Sequence, residues 1–187
     1  MKPANNRLQT LFIVVAGLLI AQPAMAFDPD SDTPITISAD SARLDDTKGI
    51  ATYTGAVELT QGKTRLTAER IVLFRDKEGL SRIEASGTPA HYQQPTGEGE
   101  REGETDASAL NITWSAADRE LTFERDAVIE QNGNQFRGDV IHYDTVHRVV
   151  TADGGSESGT GTGRVEMIIQ PRNTSNKQGS NGSSQGQ

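Results

Sequence analysis

The 187-residue chain contains no cysteine, one tryptophan and few aromatic residues, which make up 5% of the sequence. Without cysteine, disulfide bonds and zinc sites with thiolate ligands are excluded. Any folded domain therefore depends on its apolar core. Because aromatic residues are scarce, we expect that core to consist mainly of Ile, Val, Leu and Ala side chains.

The chain also lacks an apolar run long enough to span a bilayer, which takes about twenty residues. The run at 11–21 is shorter, follows the basic residues Lys2 and Arg7, and precedes Ala24-Met25-Ala26, an A-x-A cleavage site. This pattern predicts a cleavable signal peptide over residues 1–26 and an exported protein. An uncleaved membrane anchor is the alternative.

Positive charge is in deficit. The chain has 18 Lys and Arg against 26 Asp and Glu, a net charge of −8, and removal of residues 1–26 would lower it to −10 because only Lys2 and Arg7 are lost. Nucleic-acid binding needs a basic patch, and binding to anionic lipid surfaces needs clustered cations. We therefore expect neither kind of partner.

Helical periodicity is missing after the signal, and the pattern that replaces it has period two. Apolar and polar residues alternate in short segments, which is typical of strands buried on one face. Glycines at turn positions separate these segments. The pattern predicts an all-β sandwich, roll or solenoid, with at most a single helical turn at Asp28–Asp32. The alternating segments are 35–37, 57–59, 66–68, 110–112, 121–123 and 165–167.

Two parts of the sequence resemble each other about seventy residues apart. Residues 56–73 and 127–143 both begin with Ala-Val, carry a Gln just before a glycine turn (Gln61, Gln131), and continue with an Ile ten residues later (Ile71, Ile141). A repeated unit of this kind indicates stacked, similar β-hairpins. Such a scaffold generally works by its shape.

The remaining segments set the domain boundaries. Residues 27–33 are interpreted as a polar leader, 34–171 as the ordered body, and 172–187, which hold no apolar residue, as a disordered tail. The acidic, glycine-rich segment 94–106 is predicted to be a long exposed hairpin loop.

No constellation in the sequence favours catalysis or metal binding. Asp28, Asp30 and Asp32 have the spacing of a Ca²⁺ loop, but the glutamate expected at its twelfth position is replaced by Ala39. His142 and His147 lack partners at metal-ligand spacing. No serine nucleophile motif is present, and no metal or cofactor is predicted. A carbohydrate-active enzyme that uses two carboxylates stays a minor alternative.

The inward face of the strands is the remaining candidate site. It is predicted to contain aliphatic residues together with the chain's scattered aromatic residues. Two interpretations stay open: an ordinary closed core, or two layers held apart so that acyl chains lie between them. The aromatic residues in question are Tyr53, Phe74, Tyr92, Trp114, Phe123, Phe136 and Tyr143.

Several motifs resemble the OstA-like (LptA) family of lipopolysaccharide-transport proteins. They occur in the family's order: P-I-T-I-S-A-D at 34–40, Y-T-G-A-V-E-L-T-Q-G at 53–62, A-E-R-I at 68–71 and G-T-P-A at 87–90. The resemblance covers nearly the whole body and, together with the signal, favours a stand-alone periplasmic member. It implies a twisted antiparallel β-jelly roll, with two sheets in an open V around an apolar interior groove.

The same resemblance implies a carrier that shields the acyl chains of lipid A. Lipopolysaccharide would come from an LptC-like inner-membrane partner and go to an LptD-like outer-membrane partner, with copies of the chain joined end to end. No catalysis is implied. A periplasmic β-scaffold with a closed core and a structural role, or an LptC-like member, is the alternative.

Candidate residues follow from motif position and from the inward pattern. Arg75, and secondarily Arg65, are candidate cations at the rim of the groove. The predicted groove residues are Ile35, Ile37, Tyr53, Leu59, Phe74, Tyr92, Trp114 and Phe123, and the predicted partner edges hold Ile35, Ile37, Val165, Met167 and Ile169. Strand edges without a neighbour are templates for another chain's strand.

Overall fold

The computed structural model describes residues 27–28, 31–96, 103–155 and 163–170. Over these residues the chain forms strands and no helix, so the predicted all-β class is confirmed. The strands are β1 (Ile35–Ser38), β2 (Ser41–Asp45), β3 (Ile50–Gln61), β4 (Thr64–Arg75), β5 (Leu80–Thr96), β6 (Gly103–Ser115), β7 (Glu120–Gln131), β8 (Asn134–Asp144), β9 (Val149–Asp153) and β10 (Glu166–Ile168).

Alternation of apolar and polar residues explains why these segments become strands. In β7, Leu121 and Phe123 are fully buried, whereas Glu124 faces solvent. Successive side chains of a strand point to opposite faces, so this alternation gives one apolar face and one polar face. The same pattern recurs in every long strand from β3 to β8.

All strand pairs are antiparallel and form one sheet in the order β1-β3-β4-β5-β6-β7-β8-β10, with β2 beside β3 and β9 beside β8. From β3 to β8 each strand therefore pairs with the next one in the sequence. Turns of two to four residues make these connections, apart from the one between β5 and β6, which lies outside the described residues. The repeated segments are two of the hairpins, β3–β4 and β7–β8, which turn at Gly62 and Gly133 with φ of 59° and 78°.

The sheet bends sharply across its middle. Every pairing from β3–β4 to β7–β8 carries a register shift near its centre, for example between Thr54 and Val57. The ring centroids of Tyr92 and Phe123 lie 6.1 Å apart. Strand pairing alone would place Tyr92 elsewhere, because Tyr92 pairs with Ala107 of β6 and Ala107 pairs with Ile129 of β7. Six residues of extended β7 would separate Ile129 from Phe123 by about 20 Å. The sheet must therefore fold over onto itself.

The bend produces two facing layers. Layer A contains β1, β10 and the strand halves next to the turns at 62 and 133, and layer B contains β2, β9 and the other halves. The strand halves of layer A are 57–61, 64–68, 90–96, 103–109, 127–131 and 134–138; those of layer B are 50–54, 70–75, 80–86, 111–115, 120–124 and 140–144.

Left-handed backbone marks the corners of the repeated hairpins. In β3, Gly55 and Ala56 have φ of 83° and 43°; in β7, Arg125 and Asp126 have φ of 64° and 55°. A Cβ at Gly55 would collide with the carboxylate of Asp40, so glycine is required at that corner. Arg125-Asp126 thus makes the same bend as Gly55-Ala56 without any glycine. Such residues bend a strand and break its ladder.

The core lies between the layers. Inward side chains from both layers are buried against one another, and their exposure is mostly 0–2%. The largest fully buried ones are Trp114, Tyr92, Tyr143, Phe27, Phe123, Leu59, Leu66, Ile71, Ile83, Ile112, Leu121 and Ile129. In this structure the inward faces are therefore apolar and closed upon each other.

Two boundary predictions need correction. The polar leader does not begin in solvent, because Phe27 belongs to the core with 2% of its surface exposed. The loop predicted at 94–106 is shorter, since β5 continues to Thr96 and β6 starts at Gly103. Gln94 and Thr105 are buried there. Because polar residues occupy these inward positions, the sequence lacks there the alternation of apolar and polar residues by which a strand is predicted.

Other predictions fall outside the described residues. These are the signal peptide at 1–26 and the tail at 172–187. Within the described residues, no helix is long and apolar enough to cross a membrane.

Candidate functional site

An aromatic cluster joins the two layers of the interior. Tyr92 lies in layer A, and Trp114 and Phe123 lie in layer B. Phe27, which belongs to no strand, makes edge-to-face contacts with Tyr92 at 6.1 Å and with Trp114 at 6.0 Å between ring centroids. These contacts make the cluster the central feature of the candidate site.

Gln61 holds the N-terminal segment in place. Its amide oxygen accepts a hydrogen bond from the backbone N–H of Asp28 at 2.9 Å. Its amide nitrogen donates to the carbonyl oxygens of Asp28, at 2.8 Å, and of Thr33, at 3.0 Å. One side chain at the end of β3 thus satisfies three backbone groups of the segment that precedes β1.

The equivalent glutamine of the second repeat has different partners. Gln131 donates to the hydroxyl of Thr105 at 3.0 Å and to the Tyr143 hydroxyl at 3.4 Å, both inside the sheet. The sequence marks both glutamines as parts of the repeat but assigns a role to neither. Which backbone a glutamine binds depends on what the tertiary structure places beside it.

Trp114 has an unusual polar atom. Its indole Nε1 is buried and has no hydrogen-bond partner among the described residues. Only 2% of the surface of the whole residue is exposed. Buried polar atoms are nearly always paired, and an unpaired one costs about 1–3 kcal/mol. The apolar interior therefore contains one donor that no described acceptor satisfies.

Tyr92, by contrast, is paired. Its hydroxyl donates to the side-chain oxygen of Gln94 at 3.0 Å. Burial raises the pKa of the Tyr92 phenol well above its ordinary value, and the nearby Tyr143 acts in the same direction. The interior thus keeps this phenol neutral.

The structure brings most of the predicted groove residues to the inward side. Leu59, Tyr92, Trp114 and Phe123 are fully buried there. Ile35, Ile37 and Tyr53 are partly buried and pack against the same core. Ile35 is in register with Gln61, and Ile37 with Leu59.

Phe74 is an exception and needs correction. It alternates with the buried Leu73 on β4 and lies on the outer face. There the guanidinium of Arg82 lies 4.1 Å above the Phe74 ring centroid, in cation–π geometry. The two-residue alternation from Ile71 could have located Phe74 outside, because residues 71 and 73 face inward.

The two candidate rim cations are engaged by carboxylates. Arg65 forms an ion pair with Glu58 at 2.9 Å, and Arg75 with Asp46 at 3.5 Å. All four side chains are exposed, with Arg65 and Arg75 at 50% and 54%. Arg65 alternates with the buried Thr64 and Leu66, so it faces away from the interior. Neither arginine lines the aromatic cluster.

The outermost strands are where the sequence predicts them. In the described part of the chain, β1 pairs only with β3, and β10 only with β8. Next to the free side of β10 lie exposed apolar residues: Val165 is 43% exposed, Met167 53% and Ile169 66%. β10 itself is shorter than predicted, since it ends at Ile168 and leaves Val165 and Ile169 just outside it.

The histidines do not form a common site. His142 pairs with Glu120 at 2.8 Å, whereas His147 pairs with Asp144 at the same distance on a turn. Hydrogen bonds from the backbone and side chain of His147 lower the pKa of Asp144. Among the described residues, no group of three or more His, Asp or Glu side chains is arranged to hold a metal ion.

Comparison with known proteins decides the family. Residues 36–149 match the family model described as LptA/(LptD N-terminal domain) LPS transport protein. The chain belongs to this family. The match covers the strands from β1 into β9 and therefore includes the aromatic cluster apart from Phe27.

Curated relatives are lipopolysaccharide export system proteins. LptH of Pseudomonas aeruginosa is 35% identical over an alignment of 170 residues, and the match covers 89% of this chain and 95% of LptH. LptA of Haemophilus influenzae is 29% identical over 91% of this chain and 95% of its own length. LptA of Escherichia coli K12 is 30% identical over 76% of this chain and 77% of its own length.

A solved structure shares the fold. The crystal structure of LptH from Pseudomonas aeruginosa, described as the LptA-homologous periplasmic component of the lipopolysaccharide transport device, matches with a TM-score of 0.70 and 36% identity. The match covers 77% of this chain and 100% of the LptH chain. The predicted fold class and the predicted membership of the lipopolysaccharide-transport family are both confirmed.

Proposed function

We propose that this protein is a periplasmic carrier that shields the acyl chains of lipopolysaccharide between its two layers. It would receive the lipid from an LptC-like inner-membrane partner and pass it to an LptD-like outer-membrane partner. The supporting observation is the inward face itself. Apolar side chains line it in every strand from β3 to β8, and the buried polar side chains Gln61, Thr64, Gln94 and Thr105 lie toward the strand ends of layer A.

The energetics of lipid transfer explain why such a lining is needed. Each acyl CH₂ kept from water contributes about 0.8 kcal/mol, so a single chain would cost roughly 10 kcal/mol to carry through the aqueous periplasm. A continuous apolar track removes most of this barrier. Aliphatic walls bind neighbouring positions about equally, so the cargo is not held at one point.

The net charge sets the orientation of the cargo. A chain with a net charge of −10 after loss of residues 1–26 repels phosphorylated head groups. Arg65 and Arg75, which are already paired with carboxylates, offset little of that repulsion. The acyl chains would lie between the layers and the head group outside them.

A second candidate function has its own observation in favour. The inward side chains are buried against one another, as in a β-scaffold with a closed core that serves a structural or docking role. Carriage of lipid requires the layers to separate, whereas a scaffold requires them to stay closed. The two functions therefore predict opposite results for lipid access.

A photo-crosslinking experiment separates them. A benzophenone amino acid replaces Ile37, which packs against the core, and in a matched variant it replaces Glu58, which pairs with Arg65 on the outer face. We expect lipopolysaccharide to crosslink at position 37 and not at position 58 in cells. Equal labelling at both positions, or none at position 37, would contradict a carrier and favour the scaffold.

Transfer between proteins would occur by strand addition at the sheet edges. β1 and β10 would pair with strands of neighbouring family domains or of further copies of this chain, which would extend the apolar track end to end. The apolar residues around β10, exposed at 43–66%, support this proposal because burial of such a surface favours association.

A further inference from the structure

Phe27 lies where a lipid chain would have to enter. It takes no part in strand pairing, yet its ring lies between the layers, against Tyr92 of layer A and Trp114 of layer B. The strands would keep their register without it. An acyl chain that separates the layers at the aromatic cluster must occupy the same space, so Phe27 and the lipid exclude each other.

Gln61 ties the segment that carries Phe27 to the sheet. Its side chain accepts a hydrogen bond from the backbone N–H of Asp28 and donates one to the Asp28 carbonyl oxygen. The equivalent Gln131 bonds inside the sheet instead. This attachment is therefore a feature of the first repeat alone.

The buried indole of Trp114 would interact differently with Phe27 and with a lipid chain. Its N–H has no acceptor among the described residues while Phe27 is in place, and a phenyl ring offers only a weak one. The ester, amide or hydroxyl oxygen near the start of an acyl chain would accept this hydrogen bond. A lipid chain can thus satisfy a group that Phe27 leaves unpaired.

We propose that Phe27 is an internal plug that occupies an acyl-chain subsite formed by Tyr92 and Trp114, and that loading of the lipid displaces the N-terminal segment. This inference rests on the proposed carrier function. In this proposal, the structure with its closed interior is the protein without lipid. The protein with bound lipid has the same sheet, but residues 27–28 have left the interior.

The test uses residues 27–187 with the benzophenone at position 37, and lipopolysaccharide as the ligand. Phe27→Ala removes the plug, and Gln61→Ala loosens it while the phenyl ring is retained. Two matched controls make the same substitutions elsewhere. Phe74→Ala removes a ring from the outer face, and Gln131→Ala removes the repeat-equivalent glutamine.

Because a plug reduces the population of the binding-competent state, its removal should lower the lipopolysaccharide concentration for half-maximal crosslinking about tenfold. We expect Gln61→Ala to change it in the same direction and the two controls to leave it unchanged. Circular dichroism confirms that each variant is folded. Gln61→Ala keeps the test decisive if Phe27→Ala fails to fold.

The two proposals fail in different ways. If the parent protein is labelled at position 37 but neither Phe27→Ala nor Gln61→Ala lowers the half-maximal concentration, the plug is wrong and the carrier function stands. If all four variants are labelled more readily, the effect is general loosening and the plug is likewise overturned. If no variant is labelled at position 37, the carrier function itself fails and the plug with it.

A second readout uses the chain's single tryptophan. A fatty acid with a brominated chain quenches the fluorescence of an indole that it contacts. Quenching of Trp114 should reach half its maximum at a lower concentration in Phe27→Ala than in Phe74→Ala. Equal concentrations in these two variants would overturn the assignment of the subsite.

Discussion

Single residues at the second corner hold the backbone in a conformation that their side chains disfavour. Arg125 and Asp126 have φ of 64° and 55°, whereas the first corner uses a glycine, Gly55, at one of the two positions. The left-handed region costs a residue with a Cβ about 1–2 kcal/mol, and aspartate tolerates it better than arginine. Arg125 is therefore the more strained of the two.

Replacement of Arg125 by Gly should stabilise the protein. Relief of the left-handed strain exceeds the added entropy of glycine in the unfolded chain, so we expect a gain of about 0.5–1 kcal/mol in the free energy of unfolding. Urea titration measures it. Glu124→Gly, at the preceding exposed position of ordinary backbone, should lose a similar amount; a loss at both positions would refute the strain at Arg125.

The pKa of Tyr92 makes a prediction about alkaline stability. Since burial raises the pKa of this phenol, the folded protein keeps it neutral while the unfolded chain ionises near pH 10, the usual value. The stabilisation is full below about pH 10 and is lost as the pH rises toward the folded-state value.

Tyr92→Phe should therefore move the alkaline unfolding midpoint to higher pH. At neutral pH the same variant should lose about 1 kcal/mol, because the hydrogen bond to Gln94 is removed. Circular dichroism followed from pH 7 to pH 12 measures both effects. Tyr53→Phe serves as the control, and an equal shift in both variants would argue against a role for Tyr92.

At the scale of elements, the free side of β10 carries the main prediction. Met167 and Ile169 are exposed apolar residues at the edge of layer A. A strand without a neighbour there can pair with a strand of a second copy. Charges placed at this edge should prevent such pairing, because they would have to be buried or brought together.

The double variant Met167→Lys, Ile169→Lys should remain monomeric at concentrations at which the parent chain associates. Light scattering after gel filtration measures the mass. Leu44→Lys is the control, since Leu44 is 58% exposed on β2, which belongs to layer B. A parent chain that is monomeric at every concentration, or a control that dissociates as fully, would exclude association through β10.

The whole molecule should unfold as one unit although its sequence is repeated. The sheet is continuous from the first hairpin to the last, and Tyr92 and Phe123 join its layers. Ile71 and Ile141 occupy equivalent positions of the two repeats, and both are fully buried. A destabilising substitution in either repeat should therefore lower the free energy of unfolding of the whole sheet.

Ile71→Ala and Ile141→Ala should each lower the free energy of unfolding by about 2–5 kcal/mol. Both should shift a single urea transition without splitting it, as expected for one cooperative domain. Val72→Ala, on the outer face of β4, is the matched control and should cost much less. A two-step curve in either core variant would indicate that the hairpins unfold separately.

Much of this architecture could be predicted because alternation is a local property. Alternation within each half of β3, β4, β6 and β7 fixes which side chains share a face, and the glycine turns that follow Gln61 and Gln131 locate the hairpins. The inward positions of Leu59, Trp114 and Phe123 follow from that pattern. Even the outward position of Phe74 is contained in it, since Ile71 and Leu73 face the other way.

Tertiary structure alone decided what lies between the layers. Left-handed backbone at Gly55–Ala56 and Arg125–Asp126 bends the sheet. The bend brings Phe123 into contact with Tyr92, although no local sequence pattern relates these two residues. In the sequence Phe27 directly follows the predicted signal peptide and precedes a polar segment, so no periodicity predicts its place in the core. The sequence thus determined strands, faces and family, whereas three-dimensional packing determined that Phe27 fills the interior.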